Sequence, residues 1–221
     1  MNSSTTTFVW DRHTRLFHWS LVLLFCLSLG TGLNGDMDWM EWHIKFGYGL
    51  LGLMVFRILT GIFGRDYGHF SRFPLSIGSV KSYLAGQQTF HGHNPMGSWM
   101  VVVMLMAITT QIISGFLTTD DFFFEGPWVK WGNDSWVKLA GKIHDLNWII
   151  LAVLAGLHLL AIVFYQFWKK EKLVNAMVTG RKQEKVSENT TAAPIPLWGA
   201  GLLAVVAGGL TWGIILLPGW L

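Results

Sequence analysis

HDLNWIILAVLAGLH, residues 144–158, places two imidazoles at the ends of a stretch that is otherwise almost wholly apolar. A separation of 14 residues is about 1,400° of rotation on an α-helix, ~40° short of four full turns, with a rise of ~21 Å. His144 and His158 therefore share one side of a helix and stand at two depths. Such a helix is long and apolar enough for a bilayer, and an ionisable group inside a span marks function by default.

The whole chain supports a membrane reading. Only 13% of its 221 residues are charged and 52% are hydrophobic, with 13 Trp and 15 Phe, too little charge for a soluble domain. The net charge of +3 is concentrated in certain loops, which points to lipid and topology and away from nucleic acid. A single cysteine, Cys26, excludes a disulfide framework, a thiolate metal cluster and a CxxCH site for covalent haem. MNSSTTTFVWDR at the start lacks a basic segment running directly into an apolar one, so no cleaved signal peptide is expected.

Five spans follow from hydropathy: Leu16–Leu33, His43–Phe63, Trp99–Leu117, His144–Trp168 and Leu197–Trp220, the last entered through Pro194 and Pro196. Arg12 and Arg15 precede the first span. Arg65, Arg72 and Lys81 follow the second, and Lys169, Lys170, Lys172, Arg181, Lys182 and Lys185 follow the fourth. The connection after span one carries Asp36, Asp38 and Glu41 with no Lys or Arg. Positive-inside then sets the N-terminus, the 64–98 loop and the 169–193 stretch in the cytoplasm, and the C-terminus outside. The polar 181–193 stretch reads as a flexible linker, so the fifth span looks appended.

Of eight histidines, His18, His43, His144 and His158 lie on spans. By alternating span direction, His18 matches His158 in depth near the inner surface, and His43 matches His144 near the outer. Two imidazoles on facing helices suit a low-spin haem iron held in a bundle core, whereas zinc would want three or four ligands. Small residues near the ligands, Gly47, Ala140, Gly141, Ala155 and Ala161, leave room for a macrocycle or for helix approach. Arg57 follows His43 by 14 residues. It thus faces the inner pair, where a haem propionate or quinone head group would accept its fork. Lys45 and Lys142 are weaker candidates at the outer level. His13 is expected at the surface.

Four motifs resemble the bacterial cytochrome b561 family, which includes the cytochrome b subunits of nickel–iron hydrogenases. They are WDRHTRLFHW from Trp10 to Trp19, His43-x-x-x-Gly47-Tyr48 with Phe56-Arg57, GHNPMG from Gly92 to Gly97, and His144 with Leu157-His158. The likeness covers roughly residues 8–180 and omits the fifth span. It implies an all-α integral membrane protein: a four-helix bundle over 1–180 with two non-covalent b haems. A linker (181–193) and an appended helix (194–221) would follow. It also implies His18 with His158 on the inner haem iron and His43 with His144 on the outer, the pairing that depth gave. His93 would lie near the inner haem or quinone.

The expected function is transmembrane electron transfer in a bacterial inner membrane, between membrane quinone and a periplasmic redox protein such as a multihaem cytochrome c or a hydrogenase. The long 118–142 connection would offer a docking surface. Two rivals are a stand-alone superoxide:quinone oxidoreductase and a metal or proton transporter using the histidines.

Overall fold

A computed structural model describes residues 4–64, 67–88, 90, 92–185 and 195–217. The chain order is β1 (Ser4–Phe8), α1 (Arg12–Asn34), α2 (Met37–Phe63), α3 (Ile77–Leu84), α4 (Pro95–Phe116), α5 (Asp134–Phe167), α6 (Leu173–Thr179), β2 (Arg181–Lys185) and α7 (Leu197–Leu216). Of these, α1, α2, α4, α5 and α7 are long and apolar enough to cross a membrane. They coincide with the expected spans, with shifted ends. The fourth helix begins ten residues before His144, so residues 134–142 of the expected outer connection are helical. Arg65 and His91, named among the loop residues, and Pro194 and Trp220, named for the fifth span, lie outside the described residues.

Three hydroxyls within the spans are satisfied locally, as suits a medium without water. Thr31 donates to the Leu27 carbonyl at 2.7 Å, Ser114 to Thr110 at 2.7 Å and Thr211 to Ala207 at 2.7 Å. Each hydroxyl bonds one turn back along its own helix.

The chain divides into two compact units, and α1, α2, α4, α5 and α7 each contribute to both. One unit contains residues 20–56, 103–155 and 204–221. Its core is Leu50, Met54, Ala107, Ile108, Ile112, Phe116 and Leu151. There the Trp128 indole donates to the Ile214 carbonyl of α7 at 3.2 Å.

The other unit contains residues 1–19, 57–102 and 156–203. In it β1 pairs antiparallel with β2, Ser4 opposite Lys185 and Phe8 opposite Arg181. The first five residues of the expected linker are thus a strand, not a free tether. Their all-polar sequence, RKQEK, carries no apolar alternation to announce a strand. The Arg15 guanidinium donates to the Val178 carbonyl, and the Trp19 indole to Met177 at 3.3 Å. His13, expected at the surface, is only 8% exposed, with Nδ1 3.6 Å from the buried Asp11 carboxylate. That carboxylate also accepts from the Ile195 amide at 3.0 Å, so a basic–acidic pair is covered where sequence alone showed only polarity.

Candidate functional site

His43 lies in the second turn of α2 and His144 in the third turn of α5. Their ring centroids are 6.0 Å apart and the planes are nearly perpendicular, at 88°. Each ring is anchored through Nδ1 to a backbone carbonyl of the preceding span. His43 Nδ1 meets the Ser28 carbonyl of α1 at 2.8 Å. His144 Nδ1 meets the Gln111 carbonyl of α4 at 3.0 Å. Serine hydroxyls stand 3.4 Å from both Nδ1 atoms, Ser28 beside His43 and Ser114 beside His144. A carbonyl only accepts, so each Nδ1 carries the proton and each Nε2 keeps its lone pair for a ligand.

The two half-sites repeat one design. Four residues after each anchoring carbonyl stands a glycine, Gly32 on α1 and Gly115 on α4. A Cβ at Gly32 would lie 2.8 Å from Cε1 of His43, and one at Gly115 2.8 Å from Cε1 of His144. Neither glycine was singled out from sequence. A glycine inside an apolar helix was the available signal, but its partner sits on another helix.

Both imidazoles line a cavity of about 520 Å³, within the ~300–1,000 Å³ typical of cofactor sites. Its walls include Phe25, Leu50, Ile112 and Leu151, and Gly47 and Gly141 border it. Asp120, Phe124 and Glu125 of the 117–133 connection, and Asp145, also line it. The residues present fit a bis-imidazole macrocycle. Among the described residues no three His, Cys, Asp or Glu side chains converge; the span histidines come in pairs.

In the other unit His18 and His158 stand within electrostatic reach of each other. His18 Nδ1 is buried without a protein hydrogen-bond partner, unlike the carbonyl-bonded Nδ1 atoms of His43 and His144. Ala155 is half-buried, whereas Ala161 is exposed. Arg57 is 6% exposed. Its Nη2 donates to the Gly68 carbonyl at 2.9 Å, and its guanidinium lies 4.7 Å above the Phe70 ring centre. Gly61, one turn further along α2, leaves no room for a Cβ against Phe70. Beside them His93 packs against Trp10 and Phe73, at centroid distances of 4.5 and 5.0 Å. Burial, and next the Arg57 charge, push this imidazole down to about 3, so it is neutral at ordinary pH. Lys45, an expected outer cation, instead pairs with Glu41 at 3.1 Å and covers Trp42.

No curated relative and no solved structure matches the chain. The family model of prokaryotic cytochrome b561 matches residues 9–180, a range that holds all four span histidines, Arg57 and His93 and ends before α7, and the chain belongs to that family.

Proposed function

We propose that this membrane b-type cytochrome carries two haems and passes electrons between a periplasmic redox protein and membrane quinone. His43 and His144 hold the outer haem iron; His18 and His158 hold the inner. The observation that carries the reading is the outer pair: two facing imidazoles, both with Nδ1 spent on a carbonyl, in one cavity.

Haem iron supplies a one-electron couple between its ferric and ferrous states. The chain supplies the rest. The Ser28 and Gln111 carbonyls hold the Nδ1 protons, orient the rings and raise the basicity of Nε2. Phe25, Leu50, Ile112 and Leu151 keep water from the site. Arg57 places a fixed cation in the inner unit to neutralise a propionate or orient a quinone head group. Phe122 and Phe123, 85% and 70% exposed on the connection that helps line the outer cavity, offer the docking contact for the periplasmic partner. The chain lies in the inner membrane with its N-terminus in the cytoplasm and its C-terminus outside, an orientation that the loop charges support. Asp120, Glu125 and Asp145 along the cavity wall repel an anion, which disfavours superoxide as the electron donor.

The test is a redox-titrated visible spectrum of detergent-purified protein with haem counted per chain. Two b haems with separate potentials are expected, and His43→Ala removes one. No haem, or haem that survives loss of all four span histidines, overturns the reading and returns the transporter alternative.

A further inference from the structure

Gln111 does more than lend its carbonyl to His144. Its side-chain Nε2 donates to the His144 carbonyl at 3.1 Å, so α4 and α5 exchange two hydrogen bonds through these two residues. Its Oε1 accepts from Asn147 Nδ2 at 2.8 Å. The same Nδ2 donates to the Ala107 carbonyl at 2.9 Å. Asn147, one turn beyond His144 on α5, is 6% exposed. On the other side of the cavity, the hydrogen bonds described for the His43 ring both go to Ser28.

A buried amide such as that of Asn147 is costly unless its groups are satisfied, and satisfied networks rigidify their surroundings. This one sits at the register of a single imidazole. We infer that Gln111 and Asn147 are positioning residues for His144: they lock the α4–α5 register that aims its Nδ1–H at the Gln111 carbonyl, and so make the outer site asymmetric, with a clamped His144 and a more yielding His43. The assignment rests on the haem reading above.

The hydrogen bond from Nδ1 makes the imidazole a stronger donor to ferric iron. Loosening it lowers that donation, so the outer haem becomes easier to reduce. Loss of such a supporting contact weakens metal sites ~10–100-fold.

The experiment compares wild type, Gln111→Met, Asn147→Leu and the double variant by redox titration and by electron paramagnetic resonance of the oxidised haems. Each single variant removes one hydrogen-bond partner from the remaining amide and lowers thermal stability. The double variant replaces both partners by apolar groups of similar shape, which is close to neutral for folding. Expected in the double variant are near wild-type stability, an outer-haem potential shifted upward, an altered low-spin signal from the outer haem alone and ~10–100-fold faster haem loss from that site. The inner haem serves as internal control and stays put. An unchanged outer potential and signal in a folded double variant, or equal shifts in both haems, overturns the assignment and leaves the haem reading standing. A wild-type protein without two haems overturns both.

Discussion

Gly32 and His43 are in such close register that a single methyl group at the glycine would stand 2.8 Å from the imidazole Cε1 and Nδ1. Gly115 stands in the same relation to His144, 2.8 Å from Cε1. Glycine in a helix interior costs about 1 kcal/mol relative to alanine. Its place here is explained by the ring it admits.

Gly32→Ala and Gly115→Ala should therefore separate folding from cofactor retention. Helix propensity improves by up to ~1 kcal/mol, while each ring is driven out of line with its carbonyl. The expected result is a stably folded protein with one haem per chain in place of two, read by haem stoichiometry and circular dichroism on the same sample. Full haem content in both variants would show that the rings shift without loss of the site.

His93 makes stability depend on pH. Unfolded, its imidazole takes a proton below its ordinary 6.5; folded, it stays neutral down to about 3. The folded state then binds fewer protons within that window, so stability is complete above pH 6.5 and falls as pH drops from 6.5 toward 3. Replacement by Phe, which keeps the packing against Trp10 and Phe73, should flatten this slope. Thermal midpoints of wild type and His93→Phe between pH 7.5 and 4.5 provide the check; parallel curves would exclude His93 as the cause.

Tyr83 of α3 and Tyr165 of α5 share a hydrogen bond of 2.5 Å. Asn94 donates to both hydroxyls, at 3.1 and 3.2 Å. The Asn94 Oδ1 also accepts from the Gly97 amide at 2.7 Å, capping α4. Burial first, and then the bond to Tyr165, hold the Tyr83 phenol above its ordinary range. Asn94→Ala loses a helix cap and two side-chain bonds, and should cost more than Tyr83→Phe, about 2 kcal/mol against about 1. Equal denaturation midpoints for the two variants would mean that the Asn94 cap adds nothing beyond the loss of the tyrosine hydroxyl.

Asp120 shapes the connection that helps line the His43–His144 cavity. Its Oδ1 accepts from the amides of Phe124, Phe122 and Phe123 at 2.8, 3.0 and 2.9 Å. These bonds, Phe124 first, hold the carboxyl below its ordinary value. Loop order is thus present above the usual carboxylate range and lost only as pH falls through the lowered value. Asp120→Ala should release the loop at neutral pH, seen as faster chymotryptic cleavage after Phe122 or Phe123. Cleavage at the wild-type rate would mean that the Thr119–Glu125 bridge suffices.

The spans were legible in sequence because they depend on local order. Hydropathy over some twenty residues reports a span, and the helical period puts His144 and His158 on one side. The facing of His43 with His144 followed from span direction alone, and the structure brings those rings together. Arg57 was expected to face the inner pair; it is buried in the same unit, bonded to the 67–73 segment. The pairing of residues 4–8 with 181–185 was hidden by polar composition.

By itself, then, the sequence determined a membrane helical protein with imidazoles at two levels, since chain direction, polarity and period act within one helix. Only the tertiary structure decided which carbonyl takes each Nδ1 proton, why Gly32 and Gly115 are glycines, and that Gln111 and Asn147 brace His144. Those relations join atoms on different helices. They depend on the rotation and offset of one helix against the next, which packing sets and the period of a single helix leaves open.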